Sequence, residues 1–314
     1  MEIIFMGTPD FAAYQLAALK DIYEVKLVVT QPDRPSGRGY KMTPPPVKVV
    51  AEKAGIPVIQ PEKINTHEVI SKLQDVNAEA IVVVAFGQLI PKSILEMAPL
   101  GCINLHGSLL PKYRGAAPIQ RAIMNGEKVT GLTTMLMDQG WDTGDMLLTC
   151  EVAIDLLDTA GSLHDKLMEK GAPLLKKTLD GLEAGVILPK KQNHDEATYA
   201  PKITTKDRVI DWRQSALFVY NHLRALLPWP GIKFILNEKR VSLSNIELTD
   251  VKTDAANPGT VVEVTNDYFA VACLDYALKF TAIKPDGSRL LSVRDFSNGY
   301  NLSVGDKLQP LEKD

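Results

Sequence analysis

Two polar side chains able to do chemistry close an otherwise apolar run in Leu100–Gly115, LGCINLHGSLLPKYRG. In an extended chain alternate side chains share a face, so Cys102, Asn104 and His106 point one way and Ile103 and Leu105 the other. A carboxamide and an imidazole among apolar neighbours each need a partner, because an unpaired buried polar group costs ~1–3 kcal/mol. Together they can donate to an oxygen that gains negative charge and can move a proton. A lone His or Asn in a strand is more often a satisfied core or edge residue. Two of them on one face, followed at once by Gly107 and Ser108, argue for a site instead, since open α/β sheets bind ligands at the carboxyl ends of their strands.

Three acids, Asp138, Asp142 and Asp145, lie in the glycine-rich stretch MDQGWDTGD. Such residues form turns, and one carboxylate near His106 could instead orient the imidazole or relay a proton. The sequence does not choose among the three. The run AIVVVA from Ala80 to Ala85 reads as a buried parallel strand that delivers Phe86, Gly87, Gln88, Leu89, Ile90 and Pro91 to the same edge of the sheet. An apolar loop with one glycine there suits a flat heterocycle, and equally an ordinary strand-to-helix turn. Gln31–Val47 is a long Pro/Gly-rich interruption where α/β connections usually take ~2–6 residues. From Arg34 to Lys48 it carries Arg34, Arg38, Lys41 and Lys48 with no acid, a pattern that suits a polyanion such as an RNA backbone.

The elements that position these residues follow from the chain in order. Glu2–Met6 reads as a buried strand, Pro9–Lys20 as a helix with Thr8 as N-cap and Pro9 at the first helical position, and Val25–Thr30 as the next strand, so the chain opens as a parallel sheet. The first turn lacks G-x-G-x-x-G: Gly7 is followed by Pro9 and Ala12, which argues against a dinucleotide. Helices are expected at Val47–Ala54, Thr66–Gln74, Ala117–Met124 and Thr159–Leu182, and strands at Val58–Ile59, Gly131–Met137 and Met146–Ile154, with His164 structural. Pro189–Lys206 lacks periodicity and reads as a linker. Beyond it come a helix around Ser215–Ala225, a Pro228-Trp229-Pro230-Gly231 turn and short apolar runs from Ile232 to Ala282, the spacing of a small antiparallel barrel. The expected fold is α/β: a Rossmann-like, mostly parallel sheet over 1–188, a linker over 189–206 and a smaller C-terminal β-barrel, OB-like, over 207–314.

Composition bounds the rest. At 314 residues, 45% hydrophobic and 23% charged, the chain is of ordinary globular make-up and long enough for two domains. A net charge of -3 gives no global basic signature, so any nucleic-acid contact is local. From Lys206 onward 14 Lys/Arg balance 14 Asp/Glu, so the barrel is not basic overall. Cys102, Cys150 and Cys273 are odd in number, far apart and without CxxC, which suits a reducing cytoplasm and argues against disulfides or a thiolate zinc site. With no basic leader and no apolar run near ~20 residues, a cytoplasmic protein without membrane association is expected.

Asn104-x-His106-Gly107-Ser108-Leu109-Leu110-Pro111-x-x-Arg114-Gly115, with Asp142-Thr143-Gly144-Asp145 downstream, resembles the folate-dependent formyltransferases. The Gly7-Thr8-Pro9-Asp10-Phe11 start, the Gln31-Pro32-Asp33-Arg34-Pro35 to Gly39 loop and the barrel-like tail look like the branch that acts on initiator methionyl-tRNA. The resemblance implies metal-free transfer of a formyl group from 10-formyltetrahydrofolate to the amino group of Met on that tRNA. It implies a catalytic trio of Asn104, His106 and Asp142, in which Asn104 and a protonated ring nitrogen of His106 meet the oxyanion and Asp142 orients the imidazole or helps take the amine proton. It further implies a folate site lined by Ser108, Leu109, Leu110, Pro111, Phe86, Gly87, Gln88, Leu89 and Ile90, with Asp138 to Gly140 nearby. Arg34, Arg38 and Lys41 would contact the tRNA acceptor end, the barrel would hold tRNA backbone, and a monomer is expected. Two other readings compete with this. A formyltransferase on a small amine, or a related hydrolase, needs neither the basic loop nor the barrel, and a non-enzymatic RNA-binding protein leaves Asn104, His106 and Asp142 unexplained.

Overall fold

In the computed structural model, which describes residues 1–36, 41–253 and 257–311, the chain begins with β1 (Glu2–Gly7), α1 (Asp10–Leu19) and β2 (Glu24–Val29). There follow β3 (Arg34–Ser36), β4 (Lys41–Thr43), α2 (Pro46–Lys53), β5 (Val58–Ile59), α3 (His67–Val76), β6 (Ala80–Val84) and α4 (Lys92–Leu95). Then come β7 (Cys102–His106), α5 (Pro118–Met124), β8 (Val129–Leu136), β9 (Met146–Ala153) and α6 (Ala160–Glu183). Beyond these lie α7 (Ala216–Ala225), β10 (Lys233–Leu236), β11 (Lys239–Lys252), β12 (Val261–Val264), β13 (Phe269–Ala272), β14 (Tyr276–Pro285), β15 (Leu291–Ser292), α8 (Val293–Tyr300) and β16 (Gln309–Pro310).

The first sheet runs β5-β2-β1-β6-β7-β8-β9. Its pairings are parallel from β5 through β7 and antiparallel from β7 to β9. The order reverses between β1 and β6, the switch point at which such sheets open a crevice beyond their carboxyl ends. The apolar run of β6 is buried at every position, as a strand covered on both faces requires. Gly7 lets α1 pack close: a Cβ on it would lie 2.7 Å from Ala12 Cβ and 2.8 Å from the Val84 carbonyl.

Several local expectations change. Pro9, not Thr8, is the N-cap of α1, and it provides no side-chain cap; the Thr8 hydroxyl donates instead to the Phe86 carbonyl at 3.1 Å. Within the long Pro/Gly-rich interruption β3 and β4 pair antiparallel, with Arg34 opposite Thr43. Thr66 caps α3, accepting from the Val69 N–H. The segment read as a linker is packed chain: Lys190 bridges Met146, and Gln192 and Ala200 are buried.

The chain divides into two compact units, residues 1–118, 129–153 and 164–201 forming the first, and 119–128, 154–163 and 202–314 the second. In the second, strands run β12-β13-β14-β11-β10-β16 with β15 on β14. The ring then closes through the segment leading into β16: the Val261 N–H donates to the Asp306 carbonyl at 2.8 Å, the Leu308 N–H to the Gly259 carbonyl at 2.9 Å, and Thr260 bridges Lys307. This pairing covers the edge of β12 at Val261. Phe234, Phe269, Phe280 and Trp212 fill the interior. No helix of the described residues is long and apolar enough to cross a membrane.

All three cysteines are free, Cys102 and Cys273 buried and Cys150 half-buried. Burial pushes the Cys102 and Cys273 thiols up to about 12, so near pH 8 only about one in 10⁴ of either is thiolate, the reactive form. A thiol reagent added to the native protein at that pH should therefore titrate Cys150 alone, with Cys102 and Cys273 reacting only after unfolding; fast labelling of either in the native state would contradict this burial.

Candidate active site

Asn104 and His106 sit at the carboxyl end of β7, opposite Val83 of β6 and Thr133 of β8 respectively. On this face the apolar core runs through Ile4, Met6, Ile81, Val83 and Cys102, and it gives way to the polar pair where the strand ends. Asn104 is half-buried, and among the described residues its carboxamide has no hydrogen-bond partner. His106 is 6% exposed. Its Nε2 lies 2.9 Å from the Tyr113 carbonyl, which can only accept, so Nε2 carries a proton. Nδ1 then faces Asp142 Oδ1 at 3.5 Å. Both ring nitrogens thus meet protein acceptors, where the sequence reading leaves one turned to substrate.

Of the three acids in the glycine-rich turn, Asp142 is the one brought to His106. It reaches by adopting a left-handed backbone, φ 54°, and its Oδ2 accepts the Gly115 N–H at 2.8 Å. Asp138 is exposed and organises its own turn, accepting from the Gly140 N–H at 2.9 Å and the Thr143 hydroxyl at 2.7 Å. Asp145 serves through its backbone, its carbonyl accepting the Leu136 N–H at 2.9 Å.

Sequence reasoning missed three side chains that brace the site. Thr133 donates its hydroxyl to the Ser108 carbonyl at 2.7 Å and accepts from the Leu110 N–H at 3.1 Å. Arg114 is 2% exposed and donates from Nε at 3.1 Å and Nη2 at 2.7 Å to Gln192 Oε1. Gln192 passes its own N–H groups to the carbonyls of Asp142 at 2.9 Å and Gly144 at 2.7 Å. Arg114 was visible inside the motif; Gln192 sits in an aperiodic stretch and carries no local signal.

The residues expected around a folate separate by burial. Ser108 and Leu110 are buried, and the Ser108 hydroxyl is engaged by the Lys112 carbonyl at 2.6 Å. Phe86 and Ile90 belong to the hydrophobic core. Gly87 and Leu89 are exposed, and Leu109 and Pro111 are half-buried. Gln88 pins the loop, accepting from the Ile64 N–H at 2.9 Å and donating to the Pro61 carbonyl at 3.1 Å. Ala85 enters this loop with φ 46°, a costly conformation for a residue with a side chain.

Arg34 of β3 pairs with Glu62 at 2.6 Å, and Lys48 of α2 with Asp33 at 2.9 Å. A Gln60 amide and the Lys48 ammonium hold the Asp33 carboxyl below the usual carboxylate range. Arg34 and Lys48 are therefore not uncompensated as expected; their acids lie outside the Arg34–Lys48 stretch. Lys41 is exposed with no ion-pair partner among the described residues, and Arg38 lies outside those residues. No group of three His, Cys, Asp or Glu able to hold a metal is found among the described residues.

Residues 1–179 match the family described as formyl transferase, and residues 202–301 match the formyl transferase C-terminal domain, which sets the class. The sequence is 45% identical over 309 residues to the methionyl-tRNA formyltransferase of Geobacter metallireducens, covering 98% of each chain. It is 46% identical to that of Halothermothrix orenii, over 98% of this chain and 100% of the relative. The chain belongs to the methionyl-tRNA formyltransferase family. Its fold is shared at a TM-score of 0.68 and 19% identity with WlaRD, a sugar 3N-formyl transferase solved with dTDP and 5-N-formyl-THF, over 92% of this chain and 99% of that one. It is shared at 0.65 and 18% identity with HypX from Aquifex aeolicus in complex with tetrahydrofolic acid, over 100% of this chain and 50% of that one.

Gly115 stands at φ 117°, and a Cβ there would lie 2.8 Å from the Ala200 carbonyl. Gly115→Ala is expected to cost about 1–3 kcal/mol and to displace the N–H that holds Asp142. Urea unfolding should show a lowered midpoint, and turnover should fall with it; an unchanged midpoint and turnover would remove this constraint from the site.

Proposed function

We propose that this chain transfers the formyl group of 10-formyltetrahydrofolate to the α-amino group of methionine on initiator methionyl-tRNA, giving formylmethionyl-tRNA for translation initiation. The observation that carries the reading is the pairing of a buried His106–Asp142 couple with an Asn104 carboxamide that no described protein group satisfies. It is supported by identity to methionyl-tRNA formyltransferases across 98% of the chain.

The folate supplies an activated formyl group. The exposed Gly87 and Leu89 and the half-buried Leu109 and Pro111, at the carboxyl edge of the sheet, would hold it; Ser108, Leu110, Phe86 and Ile90 shape that edge from beneath. When an amine attacks a formyl carbon, negative charge grows on the oxygen. Asn104 is placed to meet that charge with its free amide N–H groups, an interaction that strengthens only as charge develops. His106 Nε2 is committed to the Tyr113 carbonyl, so Nδ1 is the nitrogen that exchanges a proton, and Asp142 beside it steadies the ring and shares the proton given up by the amine. The α-amino group, with a pKa of ~7.7–8.0 in model compounds, is partly neutral near pH 7 and needs only modest help.

On this reading the first unit carries the transfer chemistry and the barrel holds tRNA backbone. The reading also implies a cytoplasmic monomer. Asn104→Ala and His106→Ala should each lower turnover by about two to three orders of magnitude without loss of fold. The assay supplies 10-formyltetrahydrofolate with either methionyl-tRNA or free small amines. Near wild-type turnover in a folded variant would remove that residue from the trio, and product from the small amines alone would overturn the substrate.

Arg34, Arg38 and Lys41 are proposed to contact the acceptor end. For Arg34 this means exchanging Glu62 for phosphate. Neutralising all three should flatten the salt dependence of tRNA binding by ~0.7–0.9 of a log–log unit for each phosphate no longer neutralised, while folate affinity stays unchanged. An unaltered salt slope would make this segment a structural insertion.

A further inference from the structure

Arg114 is a buried guanidinium with no acidic partner among the described residues. Its side chain donates to Gln192 Oε1 and, from Nη2 at 3.2 Å, to His194 Nδ1. Because a guanidinium can only donate, the oxygen of the Gln192 amide must face it and the NH₂ end must face away. That end meets the carbonyls of Asp142 and Gly144. Gln192 is 5% exposed, so water does not substitute for these bonds. A glutamate at 192 would neutralise the buried cation, the ordinary solution for a charge out of water. It could not donate to two carbonyls. The residue present at 192 satisfies the turn rather than the charge.

The backbone repeats the grip. The Arg114 N–H donates to the Thr198 carbonyl at 2.9 Å and the Ala200 N–H to the Arg114 carbonyl at 2.7 Å, and the next N–H, that of Gly115, holds Asp142 Oδ2. Asp142 is thus fixed at its carboxylate through Gly115 and at its carbonyl through Gln192, both traced to the dipeptide Arg114-Gly115.

We propose that Gln192, anchored by Arg114, is a positioning residue for Asp142: its two donated bonds hold the left-handed turn that sets the carboxylate beside His106 Nδ1. The inference rests on the catalytic reading of Asn104, His106 and Asp142 given above.

The test compares Gln192→Met and Gln192→Glu in the full chain. Both remove the two donated bonds, and Glu adds an ion pair to Arg114. Gln192→Glu, whose ion pair to Arg114 offsets part of the cost of the two unpaired carbonyls, should melt above Gln192→Met and yet lose about 10- to 100-fold in kcat, the usual cost of displacing a reacting group. KM for folate and tRNA should change by less than about threefold, since neither binding surface is touched. Gln192→Met should lose kcat to a similar degree. In parallel, ¹⁵N NMR of the histidine rings should show the His106 Nδ1 resonance moved in both variants, a readout that needs no substrate. Stability and activity parting company in Gln192→Glu supports positioning; wild-type kcat with an unmoved Nδ1 resonance in that variant overturns it. Should the wild-type protein itself fail to formylate methionyl-tRNA, the catalytic reading falls, while the Nδ1 resonance still reports whether Gln192 sets the turn.

Discussion

A carboxylate reaches the imidazole at the end of β7 only because the backbone at Asp142 takes a left-handed conformation. That conformation is unfavourable for any residue with a side chain, so neighbouring structure must over-determine it. The surroundings do so from three sides: the Gly115 N–H on the carboxylate, the Gln192 amide on two carbonyls, and a glycine at 144 where a Cβ would stand 1.8 Å from the Leu136 carbonyl. The rest of the site is arranged around this point. Tyr113, itself at φ 60°, turns its carbonyl toward His106 and thereby leaves Nδ1 for Asp142.

The division of labour follows from where rigidity is available. β7 lies inside the sheet with partners on both sides, so Asn104 is placed by two ladders of hydrogen bonds and His106 by the β8 ladder. The loops bearing exposed Gly87, Leu89 and Trp141 are free of the core on one side yet pinned by Gln88 and Asp138 on the other. Asn104 and His106 are held on a strand, whereas Asp142 is held on a braced turn, its position set by hydrogen bonds to its own backbone and carboxylate.

Much of this was legible in the sequence, for physical reasons that differ by region. AIVVVA reads as a doubly covered strand, of which Ala80–Val84 form β6, and the alternation CINLH by itself put the two polar groups on one face. The central α/β order and the barrel were readable because each element carries its own periodicity. The β3–β4 pair was not, since its three-residue strands are too short for a pattern. Nor was the pairing of Arg34 and Lys48, whose acids lie outside the stretch, or the role of Gln192, which depends on partners 48 to 78 residues away along the chain. Thr8 is not the cap because α1 is capped one residue later, at Pro9, and the Thr8 hydroxyl instead donates to a carbonyl 78 residues distant. Local rules identify elements but do not choose one aspartate among three; the family resemblance singled out Asp142, and the fold brings it to His106.

The barrel is sealed by residues 305–310, which bond on one side to 259–261 and on the other to β10. During synthesis those residues leave the ribosome after every strand they join. Until then β10 and β12 present unpaired edges, the exposure that invites pairing with other nascent chains. The order of translation therefore makes β16, which is made after every strand it joins, the lock of the second unit.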